Sequence, residues 1–395
     1  MLLGKQRKSI DNFIIKNMAK EGDTNKICNK FASTFSNDID LINHVCHEKW
    51  LDRSIYVKEA EVCMRWQPVD AKKVMNVIKN MSSKKSPGID CIRMSDLKSV
   101  GDRVSPIIAK LINLSVSNYK FPSILKKTII RPIYKKDNSQ LYTNYRPIAI
   151  LSSVDKIIEK CIVNQIGLYL QNNRILHSCQ HGFQRNKSTN TLLTRFTDEI
   201  NTHLSEKKFI IAIFHDFKKA FDTLEFNTLL NAMEECGVSE PLNKWFSDYL
   251  TARSFQVKVG ASCSDETDVR CGVPQGSGCG PICYLMHVNS LPGVLNHCSA
   301  YMFADDLCTL RAGTDLAETC NLVQRDVDAV VKWSHDNGIV LNIDKTKLII
   351  IHSPYLCPSG SLTPIFTHSF SCYYNNNINC NCKPIEQVKS IFIPR

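Results

Sequence analysis

The chain is 395 residues long, 43% hydrophobic and 22% charged, which excludes a disordered tail, a fibrous repeat or a mini-scaffold and leaves room for two or three subdomains. Lys and Arg outnumber Asp and Glu by 49 to 38, a net charge of +11 that suits a polyanionic partner such as nucleic acid or an anionic membrane surface. No apolar run approaches the ~20 residues that cross a bilayer, and Met1–Ile10 is too polar for a signal peptide, so an intracellular protein of the cytoplasm or nucleus is expected.

Residues 1–61 are polar and weakly periodic and read as a helical lead-in or linker. Val69, Val74, Val77, Ile78 and Met81 then form a helical stripe ending before Ser86-Pro87-Gly88, and a second helix is expected over Val104–Tyr119. Thr128–Tyr134 and Tyr145–Leu151 read as a β-hairpin with a long tip carrying Arg131, Lys135, Lys136 and Arg146. Ser152 is an N-cap for an amphipathic helix reaching Leu170. The apolar run Phe209–Phe214 has the pattern of a central strand delivering His215-Asp216 to a site. Helices are expected over Glu225–Glu235, from Pro241 and from Pro281, with a strand pair at Phe255–Val259 and Thr267–Cys271 between the last two. Two short strands within Ser299–Arg311 flank Asp305-Asp306. A helix through Val323, Val327, Val330 and Val331 ends at Asn337-Gly338, and Val340–His352 reads as a strand containing Lys345 and Lys347. This mixture of hairpins and helices without a βαβ period predicts an α+β fold.

Two adjacent carboxylates at a hairpin tip are hard to explain as packing, because like charges repel and resist desolvation unless a cation lies between them. If the strand ending at Asp216 neighbours that hairpin, Asp216, Asp305 and Asp306 face one pocket. Such hard oxygen donors suit Mg²⁺ shared with substrate phosphates, and nucleotidyl transfer with two ions is the natural chemistry. The bland reading of Asp216 alone is a backbone cap.

Six stretches occur in a recognisable order: Lys85-Ser86-Pro87-Gly88-Ile89-Asp90, Asn144-Tyr145-Arg146-Pro147-Ile148, Gln180-His181-Gly182-Phe183 with Ser188-Thr189, Asp216-Phe217-Lys218-Lys219-Ala220-Phe221-Asp222, Gly272-Val273-Pro274-Gln275-Gly276-Ser277 and Phe303-Ala304-Asp305-Asp306. Together, over residues 62–352, they resemble the reverse transcriptase domain of non-LTR (LINE-type) retrotransposons. The resemblance implies a right-hand polymerase, with fingers and the start of the palm in 62–205, palm in 206–352 and a short C-terminal segment, 353–395, where the thumb is largely missing. It implies RNA-directed DNA synthesis from dNTPs on an RNA template and DNA primer with two Mg²⁺ ions, or Mn²⁺, alongside other retroelement proteins. Asp216, Asp305 and Asp306 match the catalytic, metal-binding carboxylates, with the Phe217 carbonyl as a further metal contact. Phe221 matches the aromatic beneath the incoming sugar, where a ring would clash with a 2′-hydroxyl, and Gln275-Gly276 the loop beside nucleotide and template. Arg146 with Lys135 or Lys136 matches the cations that grip the triphosphate, and Lys345 is a candidate acid for pyrophosphate release. The alternatives are a catalytically inactive nucleic-acid-binding remnant and a maturase-like RNA-binding protein.

His215 stands where the family has an apolar residue, and its bland reading is a structural histidine. Gly276-Ser277-Gly278-Cys279-Gly280 imitates a dinucleotide fingerprint but lacks the βαβ context, and His47-Glu48 has Leu51 where a zincin has its second histidine. Among 18 cysteines there is no CxxC pair. Cys372, Cys380 and Cys382, with His352 and His368, lack zinc-site spacings, so reduced thiols are expected.

Overall fold

The computed structural model describes residues 2–18, 22–46, 62–84, 86–356, 364–367 and 382–388. Along the chain run α1 (Leu2–Asn17), α2 (Thr24–Cys46), α3 (Ala71–Asn80), α4 (Met94–Ser99), α5 (Gly101–Ser117), β1 (Lys127–Tyr134), β2 (Tyr145–Ile150), α6 (Ser153–Asn172) and α7 (Thr189–Ser205). Then come β3 (Phe209–His215), β4 (Phe217–Lys218), α8 (Phe226–Glu235), α9 (Leu242–Leu250), β5 (Arg253–Val259), β6 (Ser262–Cys263), β7 (Thr267–Val269) and α10 (Cys279–His287). The last are β8 (Ser299–Phe303), β9 (Asp306–Gly313), α11 (Leu316–Asp336), β10 (Val340–Leu341), β11 (Lys347–Ile351) and β12 (Glu386–Gln387). The mixed α+β class expected from the sequence is observed. Among the described residues no helix is long and apolar enough to cross a membrane.

The elements divide into two units, neither continuous in sequence: 1–45, 59–175 and 221–283 form the first, and 46–58, 176–220 and 284–395 the second. In the first, β1 pairs antiparallel with β2 and parallel with β5, which also takes β6 and β7. The polar average of the first 61 residues conceals a stripe: Ile14, Met18, Ile27, Phe31 and Phe35 are buried against Tyr145, Phe255, Val257 and Val259. The described part of that segment is therefore helical and packed. α1 also answers one of the hairpin cations, since Asp11 accepts from Arg131 Nη1 at 2.6 and 2.9 Å, leaving Arg131 neutralised and partly buried. α6 starts where the sequence placed it, with the Ser152 hydroxyl accepting from Asp155 N at 2.9 Å. α10 starts at Cys279, two residues before Pro281, because the Ser277 hydroxyl accepts from Gly280 N at 2.9 Å and proline fits within a first helical turn.

The second unit is built on the sheet β12-β11-β3-β9-β8. Its central strand β3 is buried on both faces, which explains its unbroken apolar run. Alternate residues serve opposite layers. Ile211 and Ile213 meet Val323 and Val327 of α11, while Ile210 and Ala212 meet Ile200 and Phe196 of α7. The strand expected over Val340–His352 is interrupted: β10 pairs with β4, β11 pairs with β3, and Lys345 lies in the turn between them. Thr346 Oγ1 and the Lys345 and Thr346 amides all donate to the Asn342 carbonyl, closing the turn that switches the chain from one partner strand to the other. Cys372, Cys380 and His368 lie outside the described residues.

Candidate active site

β3 and β9 run antiparallel with His215 opposite Leu307, so Asp216, one step past β3, and Asp306, one step before Leu307, emerge at the same end of the sheet. Asp305 occupies the two-residue turn joining β8 to β9, where Phe303 pairs with Asp306. The sequence thus converges three acids at adjacent strand ends. Burial comes first, then the charges of Asp305 and Asp216, in raising the Asp306 pKa above the ordinary carboxylate value. Burial and the same Asp305 and Asp306 charges push the Tyr284 phenol up and keep it protonated. Lys345 Nζ lies 3.9 Å from Asp216 Oδ2, with 71% of the lysine side chain exposed. Among the described residues no three His, Cys, Asp or Glu side chains are drawn close enough to grip an ion unaided. The acids are near enough to feel one another, and the donor set fits a hard divalent cation completed by water and phosphate oxygens.

The backbone at Asp216 is fixed from β10 and the turn after it. Asn342 N donates to the Asp216 carbonyl at 2.7 Å, and Asp216 N donates to Thr346 Oγ1 at 3.4 Å. Phe217 is buried, and its strand β4 pairs Phe217 with Leu341. His215 is buried with Nε2 3.0 Å from Thr309 Oγ1 and Nδ1 without a hydrogen-bond partner among the described residues; burial drives its pKa down to about 3, so it is neutral at working pH. A cavity of about 320 Å³ lined by Phe196, Phe214, Tyr301, Phe303 and Asp306 opens beside the carboxylates. A larger one, about 610 Å³, lies in the first unit with Lys73, Asn76, Lys160 and Asn164 in its wall and no carboxylate.

The remaining expected residues belong to the first unit. Phe221, Gln275 and Gly276 are gathered in one loop cluster: Val273 N donates to the Phe221 carbonyl at 2.9 Å, and Gln275 Nε2 donates to Asp222 Oδ2 at 2.7 Å. The Gln275 carbonyl accepts from Ala149 N of β2 at 2.8 Å, and Gly276 has φ +106° with Ala149 O 3.0 Å from where a Cβ would sit, so only glycine suits this approach. Arg146 is exposed on β2 opposite Ile133, and Lys135 and Lys136 are exposed at the hairpin tip.

The family described as reverse transcriptase (RNA-dependent DNA polymerase) matches residues 133–379. The chain belongs to the reverse transcriptase family. It is related to polymerases of non-LTR retrotransposons. It is 29% identical over 288 residues to a "Probable RNA-directed DNA polymerase from transposon BS" of Drosophila melanogaster, covering 71% of this chain and 32% of that protein. It is 27% identical over 284 residues to the corresponding probable polymerase from transposon X-element of the same species, covering 71% and 31%. It is 24% identical over 306 residues to the RNA-directed DNA polymerase from mobile element jockey, also of D. melanogaster, covering 74% and 33%. The chain thus spans about a third of the length of these relatives.

Two parts of this reverse transcriptase domain escaped the sequence reading. Asn342 and Thr346 clamp Asp216 through bonds that become visible only once β10 and β11 take different partners. Asp155 and Glu159 are the second, and no sequence signal singled them out as buried: both are buried, Glu159 Oε2 accepts from Gly278 N at 2.6 Å and Oε1 accepts from Tyr249 Oη, so the acid anchors the loop after Gln275-Gly276.

Burial of Asp306 beside the Asp305 and Asp216 charges has a direct consequence for stability. A carboxyl whose folded pKa lies above its unfolded value favours folding at low pH and loses that contribution as pH rises through the folded value. Asp306→Asn is therefore expected to raise the melting temperature at neutral pH without divalent ions, and added Mg²⁺ is expected to stabilise the parent chain more than the variant. Calorimetry with and without Mg²⁺ checks both; a variant that melts lower in metal-free buffer contradicts the account.

Proposed function

We propose that the chain is an RNA-directed DNA polymerase that adds dNTPs to a DNA 3′ end on an RNA template. The observation carrying this reading is the convergence of Asp216, Asp305 and Asp306 at adjacent strand ends, close enough for two of them to weaken the acidity of the third. Asp216, Asp305, Asp306 and the Phe217 carbonyl would hold Mg²⁺ or Mn²⁺, and the metal would supply activation of the 3′-hydroxyl and neutralisation of the departing pyrophosphate.

The chain's own residues do the rest. Arg146, Lys135 and Lys136 bind the triphosphate as charge-assisted donors. Phe221 lies beneath the incoming sugar and rejects a 2′-hydroxyl, and the Gln275-Gly276 loop supports nucleotide and template. In this reading the exposed ammonium of Lys345, 3.9 Å from Asp216, gives a proton to the leaving group. The net charge of +11 draws the template and primer backbones. In this reading the second unit's sheet is the core of the palm and the β1–β2 hairpin belongs to the fingers.

The test is dTTP incorporation by purified protein on poly(rA)/oligo(dT). Incorporation that requires Mg²⁺ and stops with chelator is expected, together with primer–template binding that weakens steeply as salt rises. Salt-sensitive binding with no incorporation in Mg²⁺ or Mn²⁺ would overturn the enzymatic reading.

A further inference from the structure

The turn that carries Asp305 is held in a conformation its sequence does not favour. Ala304 has φ +57°, a left-handed value that costs an alanine free energy and that two-residue hairpins ordinarily give to glycine. Such a residue keeps its conformation only where its surroundings impose it. Here one side chain meets both polar groups of that residue. Gln180 is 3% exposed, and its Oε1 accepts from Ala304 N at 2.9 Å while its Nε2 donates to Ala304 O at 3.2 Å, so the carboxamide closes on both polar groups of that residue.

Gln180 is itself fixed. Its Oε1 also accepts from Gly182 N at 2.7 Å, and its carbonyl accepts from Gln184 Nε2 and Lys187 Nζ, each at 2.7 Å. The flanking backbone is stitched to β8, with His181 N donating to Met302 O at 2.7 Å and Met302 N to Cys179 O at 3.1 Å. Gly182 has no room for a side chain: a Cβ there would lie 2.2 Å from Ala304 N.

We infer that Gln180 is a positioning residue, whose carboxamide holds Ala304 in its left-handed conformation and thereby aims the Asp305 and Asp306 carboxylates at the reacting phosphate. The aim rests on the polymerase reading above; the clamp itself does not. Burying an amide that is satisfied only in one turn geometry converts its hydrogen-bonding requirement into a restraint on the neighbouring acids.

Two variants of the full chain test this, Gln180→Leu and Gln180→Glu. Hydrogen–deuterium exchange of the peptide spanning 301–307 is expected to quicken in Gln180→Leu while that of 209–214 is unchanged. On poly(rA)/oligo(dT) with Mg²⁺, kcat is expected to fall on the order of tenfold to a hundredfold with KM for primer–template unaltered, the scale of misplacing a reacting group by about an ångström. In Gln180→Glu, a protonated carboxyl can both donate to Ala304 O and accept from the two amides, whereas an ionised one repels the carbonyl. The activity of Gln180→Glu relative to the parent is therefore expected to rise as pH is lowered from 8.5 to 6.5.

Unchanged exchange at 301–307 in a folded Gln180→Leu overturns the clamp, and unchanged kcat in both variants overturns its part in catalysis. Should Gln180→Leu fail to fold, Gln180→Glu decides: a flat activity ratio across pH refutes the proposal. Should the parent chain incorporate no nucleotide, the polymerase reading fails, and local exchange in the two variants still decides whether Gln180 sets the turn.

Discussion

Asp305→Asn is expected to eliminate the Mg²⁺-dependent nucleotide incorporation proposed above while leaving primer–template binding intact. Asparagine is isosteric, so the two-residue turn and its pairing of Phe303 with Asp306 survive. What disappears is one negative charge among three that converge at the ends of β3 and β9. Removing a group that stabilises charge in phosphoryl transfer costs on the order of a thousandfold or more in rate, and Asp216→Asn is expected to match it. In the proposed complex, binding is governed by backbone phosphates meeting basic side chains, and both substitutions leave those side chains in place. Single-turnover extension alongside fluorescence anisotropy reads the two quantities separately. Full synthesis by Asp305→Asn would remove the metal-binding role from this residue.

Arg253→Met is expected to cost the fold about 3–5 kcal/mol, the usual price of leaving a buried charge without its partner. Arg253, Asp155 and Glu159 are all buried, with Arg253 Nη2 3.8 Å from Asp155 Oδ2 and Nη1 donating to the Tyr249 carbonyl at 3.1 Å. The guanidinium also lies over the Tyr249 ring, 4.7 Å from its centroid, so methionine fills much of the volume but answers neither acid. Burial, then for Asp155 the neighbouring Glu159 charge, already holds both carboxyls above the ordinary carboxylate range, and Arg253 is one of the influences pulling them down. Without it their pKa values rise further. Because raised carboxyls weaken the fold as pH climbs through their folded values, the deficit should be large at pH 8 and smaller at pH 5. Urea unfolding at both pH values measures this, and an equal deficit at the two would assign the loss to packing instead.

Much of this architecture is legible in the sequence because two periodicities carry it. The continuous apolar run of β3 announced a strand buried on both faces, and the alternation around Ser152–Leu170 announced α6 together with its cap. The family motifs named the acids, and strand pairing explains how residues so distant along the chain reach one end of a sheet. What stayed hidden depends on partners that sequence order cannot supply. Lys345 reads as a strand residue because apolar residues lie on both sides of its polar stretch, at Val340–Leu341 and Leu348–Ile351, yet the chain must turn there to change pairing partner. Nothing in the sequence marks Asp155 and Glu159 as buried, since acids on a helix usually face solvent, and it takes Arg253 from β5, the Tyr249 hydroxyl and the Gly278 amide to make their burial tolerable. Gln180 belongs to a recognisable motif, but its task is set by the φ of a residue on another strand.

The stripe on α1 and α2 bears on how the protein can be handled. Beginning the chain at residue 62, where the family resemblance begins, would uncover Tyr145, Phe255, Val257 and Val259 and leave Arg131 without Asp11. An exposed apolar sheet face of that kind invites self-association. The leading helices therefore serve as an internal cover for that face, and a trimmed version should precipitate more readily than the full chain.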